Sequence, residues 1–75
     1  MKIKYTGHAK ERLEKRKITE DEVTNAIRFP EKLTKEHGKY YAQKDIGRGK
    51  IEVVYGRIEN PEEGKYLNII TVYWL

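Results

Sequence analysis

The spacing of apolar residues changes near residue 30, from helical periodicity before it to strand-like alternation after it. In the first segment Ala9 and Leu13 lie on one side of a helix, while the charged residues between them face water. Thr6 is a favourable N-cap for a helix that begins near Gly7. Residues 2–5 alternate between polar and apolar types and predict a short edge strand or an extended entry to this helix.

A second helix is predicted between Thr19 and Pro30. Thr19 and Glu22 have the spacing of a capping box, in which each side chain bonds the other residue's backbone N–H. The helix should end before Pro30, because proline disfavours helical geometry in the residue that precedes it. Its buried face is predicted by three apolar residues at helical spacing, Val23, Ala26 and Ile27.

Segments rich in β-branched and aromatic residues predict three strands, at 40–46, 50–58 and 65–75. Turn-forming sequences at 47–49 and 60–64 separate them, which is typical of an antiparallel meander. Residues 33–37 can add a fourth strand. The predicted fold is therefore α+β, a single domain over residues 1–75 in which two N-terminal helices pack on a 3–4-stranded antiparallel sheet.

Strand alternation also groups the tyrosines with apolar residues. Tyr55 shares a face with Ile51, and Tyr73 shares a face with Ile69. Both faces are partly apolar, so the face that the helices cover stays open at this stage.

Composition narrows the classes of function. A chain of 75 residues suffices for one small domain, so a site is expected in a surface groove or shallow pocket. Sixteen Lys and Arg against 12 Asp and Glu give a net charge of +4, which favours acidic partners such as RNA. The absence of cysteine and serine excludes disulfides, thiolate zinc ligands and a serine nucleophile. No cofactor motif occurs, and His8, His37 and Asp45 lack metal-ligand spacing, so neither cofactor nor metal is predicted.

Hydropathy gives no sign of a membrane protein. No apolar run approaches membrane-spanning length and the N-terminus lacks the apolar region of a signal peptide, so a cytoplasmic protein without a membrane partner is expected. Abundant Lys and Glu without Cys is also typical of a protein from a hot environment.

The strongest candidate chemistry lies on the first predicted helix. His8, Arg12 and Arg16 recur every four residues, which keeps them in one stripe. Histidine titrates near neutral pH and arginine presents a fork of donors that fits a phosphate, so the stripe could grip a phosphodiester and move a proton on it. Two alternatives stay open: the arginines pair with nearby glutamates in a purely structural role, or the stripe binds phosphate or a partner without catalysis.

Other candidates lie on the predicted strands. Tyr55 and Tyr73 could present hydroxyls or rings to a nucleobase, although tyrosines at such positions more often pack at the rim of a core. A basic rim for RNA binding is predicted from Lys44, Arg48, Lys50 and Arg57. The segment 47–50 is more often a plain hairpin turn.

The stripe and the residues after it resemble the DUF4258 family of small uncharacterised proteins. The resemblance rests on His8-Ala9, Arg12, Arg16, Ile18, Glu22-Val23, Pro30 and the closing segment 70–73. Lys17 departs from the pattern, since the family often has Gly there. A left-handed helix terminus would cost Lys up to ~1–2 kcal/mol, which leaves a different turn open.

The resemblance implies a fold similar to the RelE and ParE toxins and the barnase-like nucleases. RelE-like ribonucleases act on RNA without metal, whereas ParE-like relatives bind proteins instead, so the fold alone does not decide the activity. The leading hypothesis is a RelE-like toxin or related metal-independent ribonuclease. The alternative is a non-catalytic interaction module that binds an antitoxin-like protein or forms a homodimer, including an inactive descendant of the nuclease fold.

Overall fold

The computed structural model describes all 75 residues as one mixed sheet with two helices. The elements in chain order are β1 (Ile3–Tyr5), α1 (Gly7–Arg16), α2 (Glu20–Arg28), β2 (Lys32–Glu36), β3 (Lys39–Asp45), β4 (Lys50–Asn60) and β5 (Gly64–Trp74). The strands are arranged in the order β1-β5-β4-β3-β2. Strands β2 to β5 pair antiparallel along the chain, and β1 pairs parallel with β5.

The predicted 3–4-stranded antiparallel sheet is wrong. The sheet has five strands and is mixed, because the three residues of β1 pair with residues 67–69 of β5. Alternation over residues 2–5 allows for a short edge strand, but its parallel partner is too distant in sequence for alternation to reveal it. Since β1 comes before α1, the helices are also not N-terminal to the whole sheet. The α+β class is confirmed, but the RelE-like arrangement is not.

Both helices begin at the predicted caps. The Thr6 hydroxyl accepts a hydrogen bond from the Ala9 N–H at 3.0 Å. Thr19 and Glu22 form the reciprocal capping box, with bonds of 3.0 and 3.1 Å. Helix α2 ends at Arg28, before Pro30 as predicted. These features were predictable because each depends on residues within one helical turn.

Lys17 closes α1 in the left-handed conformation that is usual for glycine, with φ 55° and ψ 47°. Its N–H bonds the Glu14 carbonyl at 3.3 Å, and the Ile18 N–H bonds the Leu13 carbonyl at 2.9 Å. This pairing satisfies carbonyls at the helix end in the manner of a glycine-terminated helix. Lys17 therefore forms the left-handed turn that is expected where glycine ends a helix.

The helices cover one face of the sheet, which we call the helix face. Helix α1 packs mainly on β5, and α2 packs on β3 and β4. The core between these layers is made of small and aliphatic side chains with one tyrosine: Ala9, Leu13, Ile18, Val23, Ala26, Ile27, Ala42, Ile51, Val53, Tyr55, Ile69 and Val72. The other face, which we call the open face, carries no helix.

A bulge in β5 corrects the predicted grouping of Tyr73. Val54 pairs with Thr71 but the next residue, Tyr55, pairs with Ile69, so Ile70 is an extra residue. Because of this extra residue, each side chain after Ile70 lies on the face opposite to the one that simple alternation from Ile69 assigns to it. Tyr73 and Ile69 therefore lie on opposite faces, although simple alternation puts them together.

Helix α1 lies along the part of β5 that β1 leaves unpaired. The pairing of β1 with β5 ends at Ile69. Beyond that residue, the Thr6 hydroxyl donates to the Ile70 carbonyl at 3.2 Å and the Arg16 guanidinium donates to the Val72 carbonyl at 2.7 Å. The Trp74 indole N–H then donates to the Arg16 carbonyl at 3.0 Å. Side chains thus take the place of a neighbouring strand and fix α1 beside this edge.

Candidate functional site

His8 and Arg12 are adjacent on the surface of α1. The Arg12 Nε lies 3.5 Å from the His8 Nε2, a long hydrogen bond between side chains one turn apart. A second Arg12 nitrogen lies 3.8 Å from a Glu11 carboxylate oxygen, and the Arg12 side chain retains 27% exposure. The pair therefore combines a titratable imidazole with an accessible guanidinium.

The orientation of α1 turns this pair away from α2. One flank of α1 carries Lys10, which lines a shallow depression with Glu20 at the start of α2. At 3.6 residues per turn, His8 and Arg12 lie on the opposite flank, with buried Leu13 between the two. The flank of His8 and Arg12 therefore faces away from α2.

The open face holds a hydrogen-bonded cluster on β3, β4 and β5. Glu52 accepts hydrogen bonds from the Tyr73 hydroxyl and, at 3.1 Å, from the Gln43 amide. Register brings them together, since Glu52 pairs with Gln43 on one side and with Tyr73 on the other. The hydrogen bond to Glu52, assisted by burial, raises the pKa of Tyr73 to about 12. Tyr73 is therefore a neutral phenol at physiological pH.

Arg16 has a different environment from the other two residues of the stripe. Its guanidinium donates to the Val72 carbonyl at 2.7 Å and is partly buried. This contact connects α1 to the sheet edge, so a structural role accounts for Arg16. Arg12 lies one turn earlier along α1, between Arg16 and the helix start where Thr6 contacts Ile70.

Tyr55 does not share a site with Tyr73. Tyr55 lies on the helix face with 6% exposure, while Tyr73 lies on the open face. The Tyr55 ring stacks on Tyr40, with centroids 5.2 Å apart and planes inclined by 15°. Burial raises the pKa of the Tyr55 phenol. Core packing therefore accounts for Tyr55.

Beyond the helices, the helix face forms an open groove of about 600 Å³. Its lining comes from strands and the N-terminal residues: Met1, Lys2, Leu33, Tyr40, Tyr55, Arg57, Ile58, Glu59, Lys65, Tyr66 and Leu67. The Arg57 guanidinium lies 5.9 Å from the centre of the Tyr40 ring, and the Lys35 ammonium lies 5.3 Å from it. Arg57, followed by Lys35, lowers the pKa of the Tyr40 phenol.

The predicted basic rim is divided among different environments. Arg48 bonds Glu22 at 2.7 and 3.0 Å and lies over the Trp74 ring, so it joins the β3–β4 turn to the helices. The Lys50 ammonium lies 3.9 Å from a carboxylate oxygen of Glu31. Lys44 faces the helix side of β3, and Arg57 belongs to the groove. The four side chains do not form one continuous patch.

Three residues of the open-face cluster and the groove were not predicted from the sequence: Glu52, Tyr40 and Lys35. Glu52 stands between two apolar residues of a strand, and only the register of β4 with β5 reveals its hydrogen bond to Tyr73. Tyr40 and Lys35 are paired across β2 and β3. Their positions in a hairpin around Gly38 provide a signal that could have suggested this pairing.

Comparison with known proteins gives one match. The model of the family described as "Domain of unknown function (DUF4258)" matches residues 5–74, and the chain therefore belongs to that family. No curated protein and no solved structure matches the chain. Neither helix is both long enough and apolar enough to cross a membrane.

Proposed function

We propose that this protein is a metal-independent ribonuclease whose site lies at the junction of α1 and the open face. The observation that carries the proposal is the contact between His8 and Arg12, 3.5 Å apart on an accessible flank of α1. It joins a group that can exchange a proton near neutral pH to a cation that can hold a phosphate.

The chemistry requires three operations. A base removes the proton from the 2′-hydroxyl of RNA, whose oxygen then attacks the adjacent phosphorus. A cation stabilises the charge that develops on the phosphate oxygens, and an acid protonates the departing 5′-oxygen. The products are a 2′,3′-cyclic phosphate and a 5′-hydroxyl. His8 is assigned both proton transfers: it takes the proton from the 2′-hydroxyl and returns it to the departing 5′-oxygen, while Arg12 stabilises the phosphate.

Tyr73 and Glu52 provide a further candidate polar group on the open face. The neutral Tyr73 phenol can donate a hydrogen bond to a phosphate or sugar oxygen, and Glu52 fixes its orientation in the unliganded protein. Tyrosine is protonated at neutral pH at its ordinary pKa near 10.0, and the hydrogen bond to Glu52 raises the pKa of Tyr73 further, to about 12. We therefore assign Tyr73 to substrate binding and Glu52 to positioning it.

The test is cleavage of a mixed-sequence RNA in EDTA at low salt. The His8→Ala, Arg12→Ala double variant should lose cleavage, because it lacks both the proton-transfer group and the phosphate-binding cation. A Lys10→Ala, Glu14→Ala double variant is the matched control, since it removes two exposed side chains, also four residues apart, from the opposite side of the same helix. It should retain cleavage.

Two results would contradict the proposal. Equal cleavage by both double variants would show that His8 and Arg12 are not the site. No cleavage by the natural chain, with ribosomes also tried, would leave a non-catalytic role. The proposed activity would suit a toxin acting on cellular RNA, and its substrate implies action in the cytoplasm.

A further inference from the structure

The groove beyond the helices has an apolar floor that remains accessible. Leu33 is 51% exposed and Ile58 is 37% exposed, and both line the groove together with Leu67 and the edge of Tyr40. Isolated exposed aliphatic side chains are common, but here they converge on one concavity. The apolar lining favours an occupant with apolar side chains.

Positive charge surrounds this floor. Arg57, Lys65 and Lys2 line the groove, Lys35 lies beside its Tyr40 wall, and Glu59 is the one carboxylate of the lining. None of these four cations forms an ion pair within the groove, since the only ion pairs of the chain join other residues. The groove therefore complements an occupant that is both apolar and acidic.

The arrangement of the rings disfavours a nucleobase as this occupant. One face of Tyr40 is against Tyr55, and two cations lie close to the same ring. Tyr55 itself is 6% exposed, so little free ring surface remains for a base to stack on. Aliphatic side chains such as Leu33 are buried more effectively by leucine-like groups than by phosphate or sugar.

We propose that this groove is a docking site for an acidic peptide segment of a partner protein, with its apolar side chains against Leu33 and its carboxylates at Lys35 and Arg57. The site is on the other side of the sheet from Tyr73 and Glu52, so the proposal does not rest on ribonuclease activity. A chain without cleavage activity would still bind such a segment.

The test is an NMR titration of the isotope-labelled chain with a peptide of about eight residues that alternates leucine and glutamate. Resonances of Leu33, Tyr40 and Arg57 should shift, whereas those of Tyr73 should not. A peptide with lysine in place of glutamate should not bind. Affinity for the acidic peptide should fall as salt is added, because the pairing is electrostatic.

A variant tests the cations directly. The Lys35→Gln, Arg57→Gln double variant should bind the acidic peptide about tenfold more weakly. The Lys44→Gln variant, which removes a cation outside the groove, should bind it with unchanged affinity. The proposal is overturned if the acidic peptide leaves the groove resonances unchanged or if the paired substitution has no effect in a folded variant. It is also overturned if oligouridylate occupies the groove more tightly, or if dilution shows that a second copy fills it.

Discussion

The Arg16 guanidinium donates to the Val72 carbonyl at 2.7 Å, a hydrogen bond between residues 56 positions apart in the chain. It reaches β5 where β1 no longer pairs with that strand, and so holds α1 beside the sheet. A backbone carbonyl at a partly buried edge is costly to leave without a partner. The hydrogen bond therefore links the helix that carries His8 and Arg12 to the strand that carries Tyr73.

We expect Arg16→Ala to lower the free energy of unfolding by about 1–2 kcal/mol, because it removes this hydrogen bond and the packing of the arginine stem. Urea unfolding followed by circular dichroism measures the loss. Lys15→Ala, at the neighbouring exposed position, should change stability by less than about 0.5 kcal/mol. Equal stability of the two variants would exclude a structural role for Arg16.

Lys17 offers a stabilising substitution. Its left-handed backbone, at φ 55°, is unfavourable for a residue with a β-carbon. Lys17→Gly should therefore raise the melting temperature, with a gain of about 1 kcal/mol. Lys15→Gly should have the opposite sign, at a cost of about 1 kcal/mol, because Lys15 is within the helix. A destabilised Lys17→Gly variant would show that the helix ends differently.

These local features separate what the sequence can reveal from what it cannot. The caps at Thr6 and Thr19 and the adjacency of His8 and Arg12 depend on residues within one helical turn, so spacing alone predicts them. The parallel pairing of β1 and the hydrogen bond of Tyr73 with Glu52 depend on distant segments. Periodicity carries no information about such pairings.

The bulge at Ile70 shows the same limit within a single strand. One extra residue moves Tyr73 to the face opposite Ile69, and nothing in the alternation of β5 marks that position. The candidate site could therefore be predicted on α1 but not completed on the sheet. The groove around Tyr40 was missed for the same reason, since four strands contribute to it.

The ion pair of Glu22 with Arg48 makes stability depend on acidic pH. The hydrogen bond from Arg48 holds the pKa of the Glu22 carboxyl below its ordinary value in the folded chain. A carboxyl with a depressed folded pKa contributes stability above its unfolded pKa of about 4.3, and that contribution is lost as pH falls through the lower folded value. Natural chain and Glu22→Gln should thus converge in stability as the pH is lowered from about 5 to about 3.

Thermal unfolding at a series of pH values tests this convergence. Glu20→Gln is a suitable control because Glu20 is exposed at the start of the same helix and forms no ion pair. If the melting temperatures of the natural chain and Glu22→Gln differ by the same amount at every pH in this range, the ion pair of Glu22 with Arg48 does not contribute as proposed.

The hydrogen bond of Tyr73 with Glu52 should make stability depend on alkaline pH. Here the stability is lost as the pH rises, whereas the contribution of Glu22 is lost as the pH falls. Its folded pKa is raised to about 12, chiefly by the hydrogen bond to Glu52, against an ordinary value near 10.0. A raised pKa stabilises the fold fully below the unfolded value, and the contribution is lost as pH rises from about 10 to about 12. Glu52→Gln should lower the pKa of Tyr73 because it removes the negative acceptor.

The phenolate absorbance of the natural chain and of Glu52→Gln measures this pKa, with Tyr73→Phe identifying the contribution of Tyr73. Tyr5, whose pKa burial raises to about 12, provides an internal control because it does not contact Glu52. An unchanged Tyr73 titration in Glu52→Gln would contradict the hydrogen bond.

The most direct measurement of the proposed activity is the chemistry of the RNA ends. A single oligoribonucleotide is incubated with the chain in EDTA, and its products are identified by mass spectrometry. We predict 2′,3′-cyclic phosphate and 5′-hydroxyl ends, no cleavage of the matching DNA, and loss of these products in the His8→Ala, Arg12→Ala variant. Intact RNA, or cleavage that this folded variant retains, would contradict a ribonuclease site on α1.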